Sequence, residues 1–346
     1  MIGSSGPLLR RLPGRWHDRA EATQLNAEID RPSGRGVRSN PPDWFDLHAT
    51  NRAALETRAP HPREIRRGAG RVVAGRPQAV RSDGAADEWD ARTYQRVSEP
   101  QLGWGRRVVE RIPLDGDERA IDGGCGTGRV TRLLAERLPS GSVLAVDLSA
   151  RMVEEATRQL ADLGERVAVR RSDLLDLEVD EPADLVVSTA TFHWILDHER
   201  LFARLHDALR PGGRLVAQCG GAGNISRTLV AAREVSSLPP YSEALSGMAE
   251  SWLFAGPEET VTRLEGAGLT GARAWLEEAP ARFPGVDAGA EFLATVVLRH
   301  HLDLLDEDLR APFAREVATR CVRAGGGVEI DYVRLNIEAR RPGPDR

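Results

Sequence analysis

Three kinds of residue in this chain stand where they could do chemistry together: a run of glycines, a series of carboxylates, and a histidine among aromatic side chains. The glycines fall in Asp122-Gly-Gly-Cys-Gly-Thr-Gly128, directly after the apolar run that ends in Ala120-Ile121. A glycine turn between a strand and a helix lets backbone approach a ligand and aims N–H groups at it from the positive end of the helix. The spacing selects among ligands. Gly124, Gly126 and Gly128 give G-x-G-x-G, whereas the dinucleotide fingerprint G-x-G-x-x-G needs glycine at 129 and finds Arg129. Asp122 also disfavours a pyrophosphate, because its carboxylate repels a dianion and attracts an ammonium or sulfonium group.

Two more carboxylates follow in register. Asp147 ends the second apolar run, nineteen residues after Gly128, where it can accept both hydroxyls of a ribose. Asp173 follows the third run and can accept from an adenine amino group, with Leu174 beside the ring. One strand-end aspartate is ordinarily a helix cap; three at successive strand ends point to one ligand. After the fourth run comes Ser188-Thr-Ala-Thr-Phe-His-Trp194, in which His193 could serve as a general base or as a hydrogen-bond donor that positions an acceptor. A hydroxyl or amine acceptor benefits from a base, whereas a carboxylate is already ionised at neutral pH. The plainer alternative is that His193 and Trp194 pack at a helix start.

Bringing these groups together requires parallel strands joined by helices. Val130, Leu133, Leu134 and Leu138 share one helical face, and Pro139-Ser-Gly141 breaks that helix before a strand at 143–146. A second helix begins at Arg151 with Met152, Val153, Ala156, Leu160 and Leu163 in one stripe, and Gly164 ends it ahead of a strand at 167–169. Residues 185–187 read as a fourth strand. A helix carrying Leu201, Phe202 and Leu205 stops at Pro211-Gly-Gly213, and 215–217 forms a fifth strand. Five βα repeats are thus visible. Beyond Gly220 the pattern weakens to a Gly-rich and Ser/Pro-rich stretch as far as Tyr241, a helix near 258–266, a segment near 272–276 and a helix around 292–297. Alternation over 328–337 predicts an antiparallel edge strand with one exposed face.

Taken together, Ile121-Asp-Gly-Gly-Cys-Gly-Thr-Gly128, Ala145-Val-Asp-Leu-Ser149 with Met152, Ser172-Asp-Leu174 and Leu209-Arg-Pro-Gly-Gly-Arg-Leu215 resemble the class I S-adenosylmethionine-dependent methyltransferases, over roughly residues 88–220. Within that superfamily, Trp89-Asp-Ala-Arg-Thr-Tyr94, Trp104, Thr191-Phe-His-Trp194-Ile-Leu-Asp-His198 and Gln218-Cys-Gly-Gly221 resemble the trans-aconitate methyltransferase-like group. The resemblance implies a doubly wound, Rossmann-like α/β fold: a seven-strand sheet with an antiparallel last strand and helical cap insertions at 222–256 and 285–325. It implies S-adenosylmethionine as cofactor, with its methionine part over Asp122, Gly124, Cys125, Gly126 and Gly128, ribose on Asp147, and adenine among Leu148, Met152, Asp173 and Leu174. Tyr94 and Thr189 would complete that site, Trp194 and Trp104 would wall a substrate pocket, and His193 is the catalytic candidate. The acceptor expected is a small molecule, with a carboxylic acid such as trans-aconitate in the lead. The chain departs from the commonest family pattern at Gly123, which usually carries an apolar side chain and here loosens packing under the loop.

The bulk properties set the frame. The 346 residues are 41% hydrophobic with no apolar run near the roughly 20 residues of a membrane span, so no membrane partner is expected. Cys125, Cys219 and Cys321 are scattered and odd in number, which suits a reducing, cytoplasmic setting. All 47 basic residues are arginine. Residues 1–85 carry fifteen arginines against nine acids and many turn formers, so this stretch reads as a disordered extension ahead of a methyltransferase domain at 86–346. An Arg-rich arm could make the chain an RNA-binding or RNA-modifying methyltransferase, but the interspersed acids favour a dispensable extension and no nucleic-acid partner. An NAD-dependent oxidoreductase is disfavoured by Arg129. Asn40-Pro-Pro-Asp-Trp44 resembles a base-methylation motif without the strand that should precede it, and Ser188-Thr-Ala190 occupies that motif's place. His300-His301, beside Asp303, Asp306, Glu307 and Asp308, diverge on a helix, and no metal is expected. Oligomeric state leaves no signature, a monomer being the default.

Overall fold

The structure is a computed structural model that describes residues 99–248 and 252–343. Tyr94, its Trp89 motif, the 1–85 extension and Asn40-Pro-Pro-Asp-Trp44 lie outside the described residues. In chain order, α1 (Glu99–Glu110), β1 (Arg119–Gly123), α2 (Arg129–Glu136), β2 (Ser142–Asp147), α3 (Ala150–Leu160), β3 (Val167–Arg171), β4 (Ala183–Thr189), α4 (His198–Ala208) and β5 (Leu209–Gly220) form the repeats read from the pattern. They are followed by α5 (Ser226–Ser236), α6 (Pro257–Gly266), β6 (Thr270–Glu278), β7 (Ala281–Phe283) and α7 (Val286–Phe292), which runs into a π turn at Leu293–Val297. Then come α8 (Arg299–Asp303), α9 (Glu307–Arg320), β8 (Val328–Ile330) and β9 (Val333–Arg340).

Seven strands make the main sheet in the order β3-β2-β1-β4-β5-β9-β6. The first five strands pair in parallel, and β9 runs antiparallel to both neighbours. Alternation along each strand sends side chains to two cores. Ala120, Val143, Leu185 and Val187 meet Val108 and Val109 of α1 and Leu134 and Ala135 of α2, while Ile121, Val146, Val186 and Leu215 meet Leu201, Phe202 and Leu205 of α4 and Leu264 of α6. The doubly wound arrangement follows, with the chain crossing to the other face after β3, where it enters β4 next to β1 and the glycine turn.

The segments 225–245 and 281–332 share a further core, in which Ala232, Val235 and Tyr241 pack with Phe292, Leu293, Phe313 and Val317. α5 carried no local helix signal because its cap is remote. Arg227 N and Thr228 N donate to the Asp331 carboxylate, 2.8 and 3.2 Å away, more than a hundred residues along the chain. That same aspartate ends β8 and splits the predicted 328–337 strand in two. Its first part pairs with β7 in a two-stranded sheet, and its second becomes β9.

The expectation of an exposed edge strand is corrected here. β9 lies between β5 and β6, and Arg334, Leu335, Asn336 and Ile337 are all buried. The polar residues that suggested a wet face are paired inside the protein: Asn336 Oδ1 accepts from Arg111 Nη1 at 2.7 Å and from Gln218 Nε2 at 2.8 Å, and Asn336 Nδ2 donates to Glu277 Oε2 at 3.3 Å. The edge is β6, with Trp275 and Leu276 exposed. Because Ile337 is fully buried in a central strand, Ile337→Ala should cost about 2–5 kcal/mol in urea-induced unfolding. A loss under about 1 kcal/mol would restore the edge-strand reading.

Candidate functional site

The turn after β1 is laced to the end of β2. Gly124 N and Cys125 N donate to the Val146 carbonyl at 2.7 and 2.9 Å, and Gly126 N donates to Asp147 Oδ2 at 2.8 Å. The other carboxylate oxygen of Asp147 accepts from Ser149 N at 2.9 Å, at the start of α3. Gly124 and Gly126 have φ of +79° and +54°, in the region that side-chain-bearing residues avoid. A Cβ at Gly124 would stand 2.1 Å from Thr191 Oγ1, whereas nothing lies within 4 Å of that point at Gly126, so the loop backbone is open there. Gly123 also finds its complement: Leu174 methyl groups stand 3.4 Å from where its Cβ would be, and Ser188 Oγ donates to its carbonyl at 2.7 Å. Leu174, expected beside an adenine, is therefore buried beneath the loop.

Asp122 is completely buried. Its Oδ2 accepts from Thr131 Oγ1 at 2.7 Å and its Oδ1 has no hydrogen-bond partner. Burial lifts its pKa to about 6, against the Thr131 hydrogen bond and with help from the charge of Asp147. Burial also raises Asp147, offset by the N–H groups of Ser149, Gly126 and Leu148. A buried carboxylate with an unfilled acceptor site, beneath an open glycine backbone, fits a ligand with a cationic head. At the neighbouring strand end, Ser172 N donates to the Asp147 carbonyl at 3.0 Å, and Asp173 Oδ1 accepts from Leu175 N at 2.9 Å. Leu148 is exposed beside them and Met152 is buried. Cys125 is buried in the loop and its thiol is pushed far up by burial, then by Asp122 and Asp147.

A second cleft is lined by His193, Trp194 and Ala190 after β4, Asn224 and Ile225 before α5, Trp252 and Phe254, the π turn, Gln101 of α1, and Tyr332 and Arg334. Leu253 N donates to the His193 carbonyl at 2.9 Å, which sets Trp252 and Phe254 against the histidine. His193 Nδ1 accepts from Gly220 N at 3.3 Å, so the neutral ring carries its proton on Nε2. Burial, then the Arg334 charge, holds its pKa well below the ordinary histidine value, and the ring stays neutral at physiological pH. Arg334 is only 2% exposed, with its guanidinium 4.6 Å over the Trp104 ring. Trp104 thus lies behind Arg334 and outside the cleft lining, while Trp194 forms part of the lining itself. Ala190 and Ile225 are the two non-glycine residues with positive φ among the described residues, and both border this cleft.

Fold and site define a class I methyltransferase that uses S-adenosylmethionine. Residues 120–213 match the methyltransferase domain family. The trans-aconitate 2-methyltransferase of Methylobacterium nodulans is 31% identical over 261 residues, covering 73% of this chain and 98% of that protein. The enzyme of the same name from Streptomyces coelicolor is 34% identical over 272 residues, covering 74% and 88%. Among solved structures, Haemonchus contortus phosphoethanolamine N-methyltransferase 2 in complex with S-adenosyl-L-methionine superposes with a TM-score of 0.49 at 18% identity, over 73% of this chain and 56% of that one. The chain belongs to the class I S-adenosylmethionine-dependent methyltransferases, in the group of the trans-aconitate 2-methyltransferases. No helix among the described residues is long and apolar enough to cross a membrane.

The glycines, Asp122, Asp147 and Asp173 of the sequence reading meet at adjacent strand ends, and Thr189 stands at the end of β4 in register with Gln218. Arg334, Trp252, Phe254, Gln101 and Asn224 were missed. Arg334 is one of 47 arginines, and only its place inside a strand rich in apolar residues could have singled it out. His300 stacks on Trp194 at 6.1 Å and His301 on Phe313 at 5.6 Å, diverging as expected of neighbours on a helix. Asp122 generates a pH prediction. Its folded pKa of about 6 exceeds the ordinary 3.8, so the cost of burying the charge is absent in acid, builds as pH rises through that window, and is complete above it at about 3 kcal/mol. Asp122→Asn should melt higher than the parent at pH 8, with the difference shrinking toward pH 4. Equal melting at pH 8 would show that the carboxylate is not strained there.

Proposed function

We propose that this methyltransferase esterifies a carboxylate of a small-molecule acid. The observation that carries the reading is Arg334, a buried guanidinium in the wall of a cleft whose histidine is a fixed donor. A guanidinium fork matches the two oxygens of a carboxylate, and His193 Nε2–H supplies a further donor. Two relatives at 31% and 34% identity bear the name of an enzyme acting on a carboxylic acid. His193 has no lone pair left to take a proton on its Nε2 side, so a hydroxyl or amine acceptor would lack a base there. A carboxylate needs none.

When bound, the sulfonium donor would supply an electrophilic methyl group for a carboxylate oxygen, its sulfur keeping the electron pair as a neutral thioether. On this reading the chain's own residues bind, align and exclude water. Asp122 would attract the cationic head of the donor, the backbone of Gly124 to Gly128 would hold its methionine part, and Asp147 would accept the ribose hydroxyls while bracing the loop. Asp173 and Leu148 border the adenine. The described parts of the segments 222–256 and 285–325 would form the cap over the acceptor.

Asp147→Asn should weaken donor affinity by roughly 2–4 kcal/mol in calorimetry; affinity equal to the parent's would remove the ribose assignment. Arg334→Gln should lower kcat/KM for an acid acceptor by on the order of a hundredfold, about 2–4 kcal/mol, with donor affinity retained and partial recovery in Arg334→Lys. Because no proton leaves the acceptor and His193 stays neutral, kcat/KM should be flat from pH 7 to 9. A rise of one decade per pH unit over that range would point to a hydroxyl acceptor instead.

A further inference from the structure

We propose that two copies of this chain associate through the outer edge of β6, strand against strand, with a twofold axis at Trp275. β6 closes one side of the main sheet, and among the described residues its outer edge pairs with no strand. The direction of its free main-chain groups follows from its pairing with β9. Ala279 N donates to the Tyr332 carbonyl at 2.9 Å, one step beyond the pairing of Glu278 with Val333. In an antiparallel ladder such a bond marks a residue whose N–H and C=O both face the neighbouring strand, and the facing alternates along the chain. Arg273, Trp275 and Glu277 therefore direct their main-chain groups at β9, whereas those of Ala274, Leu276 and Glu278 point outward. An edge of this kind recruits another strand unless charge or a bulge deters it. The register shift of β6 lies between Thr270 and Arg273, and residues 273–278 pair with β9 without interruption.

The side chains select both the occupant and the register. Arg273-Ala-Trp-Leu-Glu277 places a cation and an anion at equal spacing on either side of a tryptophan. With the axis at Trp275, the second copy sets its Glu277 opposite Arg273, its Arg273 opposite Glu277 and its Trp275 opposite Trp275. Ala274 and Leu276 of each copy then exchange both N–H···O bonds with Leu276 and Ala274 of the other. The charged and tryptophan pairs fall at the non-hydrogen-bonded positions, where cross-strand side chains stand closest. Other registers lose the match. An axis at 274 or 276 leaves a charge facing Trp275, and an axis at 273 or 277 sets a like charge against itself. Arg273, its side chain 73% exposed, reaches Glu338 at 2.5 Å, and Glu277 Oε2 accepts from Asn336 Nδ2 at 3.3 Å. A guanidinium has donors, and a carboxylate lone pairs, for a second partner. Trp275 and Leu276, both exposed on the single chain, supply apolar surface for the pairing to cover. The product is an isologous dimer with one sheet continuous across the axis.

The test is sedimentation of the full chain across the micromolar range, where the parent should be a dimer. Arg273→Glu and Glu277→Arg each set like charges face to face, so either alone should raise the dimer dissociation constant about tenfold or more. An equimolar mixture of the two variants should return it to near the parental value, because every charged pair in the mixed dimer is again of opposite sign. S-adenosylhomocysteine affinity at the parental level reports that each variant is folded. Ala274→Pro removes an outward N–H and no bond to β9, and should leave a monomer of the same affinity. A parent that is monomeric throughout this range overturns the proposal. So does a dimer that the charge variants and Ala274→Pro leave intact, or a mixture no tighter than its components. If a charge variant loses S-adenosylhomocysteine binding, Ala274→Pro decides: a persistent dimer overturns the proposal, and a monomer upholds it.

Discussion

The carbonyl of Val146 accepts two N–H groups from the turn that follows β1, and the carboxylate of the next residue accepts a third. These three bonds tie two strand ends into one rigid edge. A glycine loop with left-handed residues is entropically expensive to order, and without fixed acceptors it would sample conformations that cannot face a ligand. Asp147 also accepts from Ser149 N and so couples the loop to the start of α3. The completely buried Asp122 lies in β1, immediately before this turn, and is tolerable only because Thr131, one turn into α2, satisfies one of its oxygens.

The cleft around His193 is organised by a different constraint, the insertion of β9 between β5 and β6. That position brings Arg334 opposite Gly220, the residue whose N–H fixes the His193 ring. The arginine and the histidine are thus oriented by the same pair of strands. Trp104 supports the guanidinium from behind, and the His193 carbonyl anchors the segment that delivers Trp252 and Phe254. Backbone strain gathers here as well, at Ala190 and Ile225. Each lies at a connection leaving the sheet, where the chain must turn sharply to enter the cleft wall.

The two halves differed in legibility for a physical reason. The glycine turn and the strand ends beside it lie within about fifty residues, so spacing alone brought out Gly124, Gly126, Gly128, Asp147 and Asp173 as neighbours. The relation of Leu174 to Gly123 escaped because it is a packing complement across the sheet. Around the His193 cleft the determinants are non-local. The cap of α5 comes from Asp331, the partners of Asn336 come from α1, β5 and β6, and Trp252 is placed by a backbone bond to His193. Alternation in β9 was real, but it separated two cores where it had suggested core and solvent. Polar residues in a strand signal a wet face only when nothing inside the protein can pair with them.

The placement of β9 also orders events in time. A chain leaving the ribosome presents β1, β2, α2 and α3 early, and the hydrogen bonds of the donor turn close among neighbours. β9 follows every other strand, so β5 and β6 wait with a slot between them until it arrives. Arg334 enters the cleft with that strand. The glycine-turn half has low contact order, whereas the half that holds the His193 cleft is closed by contacts spanning more than a hundred residues. Completion of the cleft around Arg334 is therefore the last step as this molecule is made.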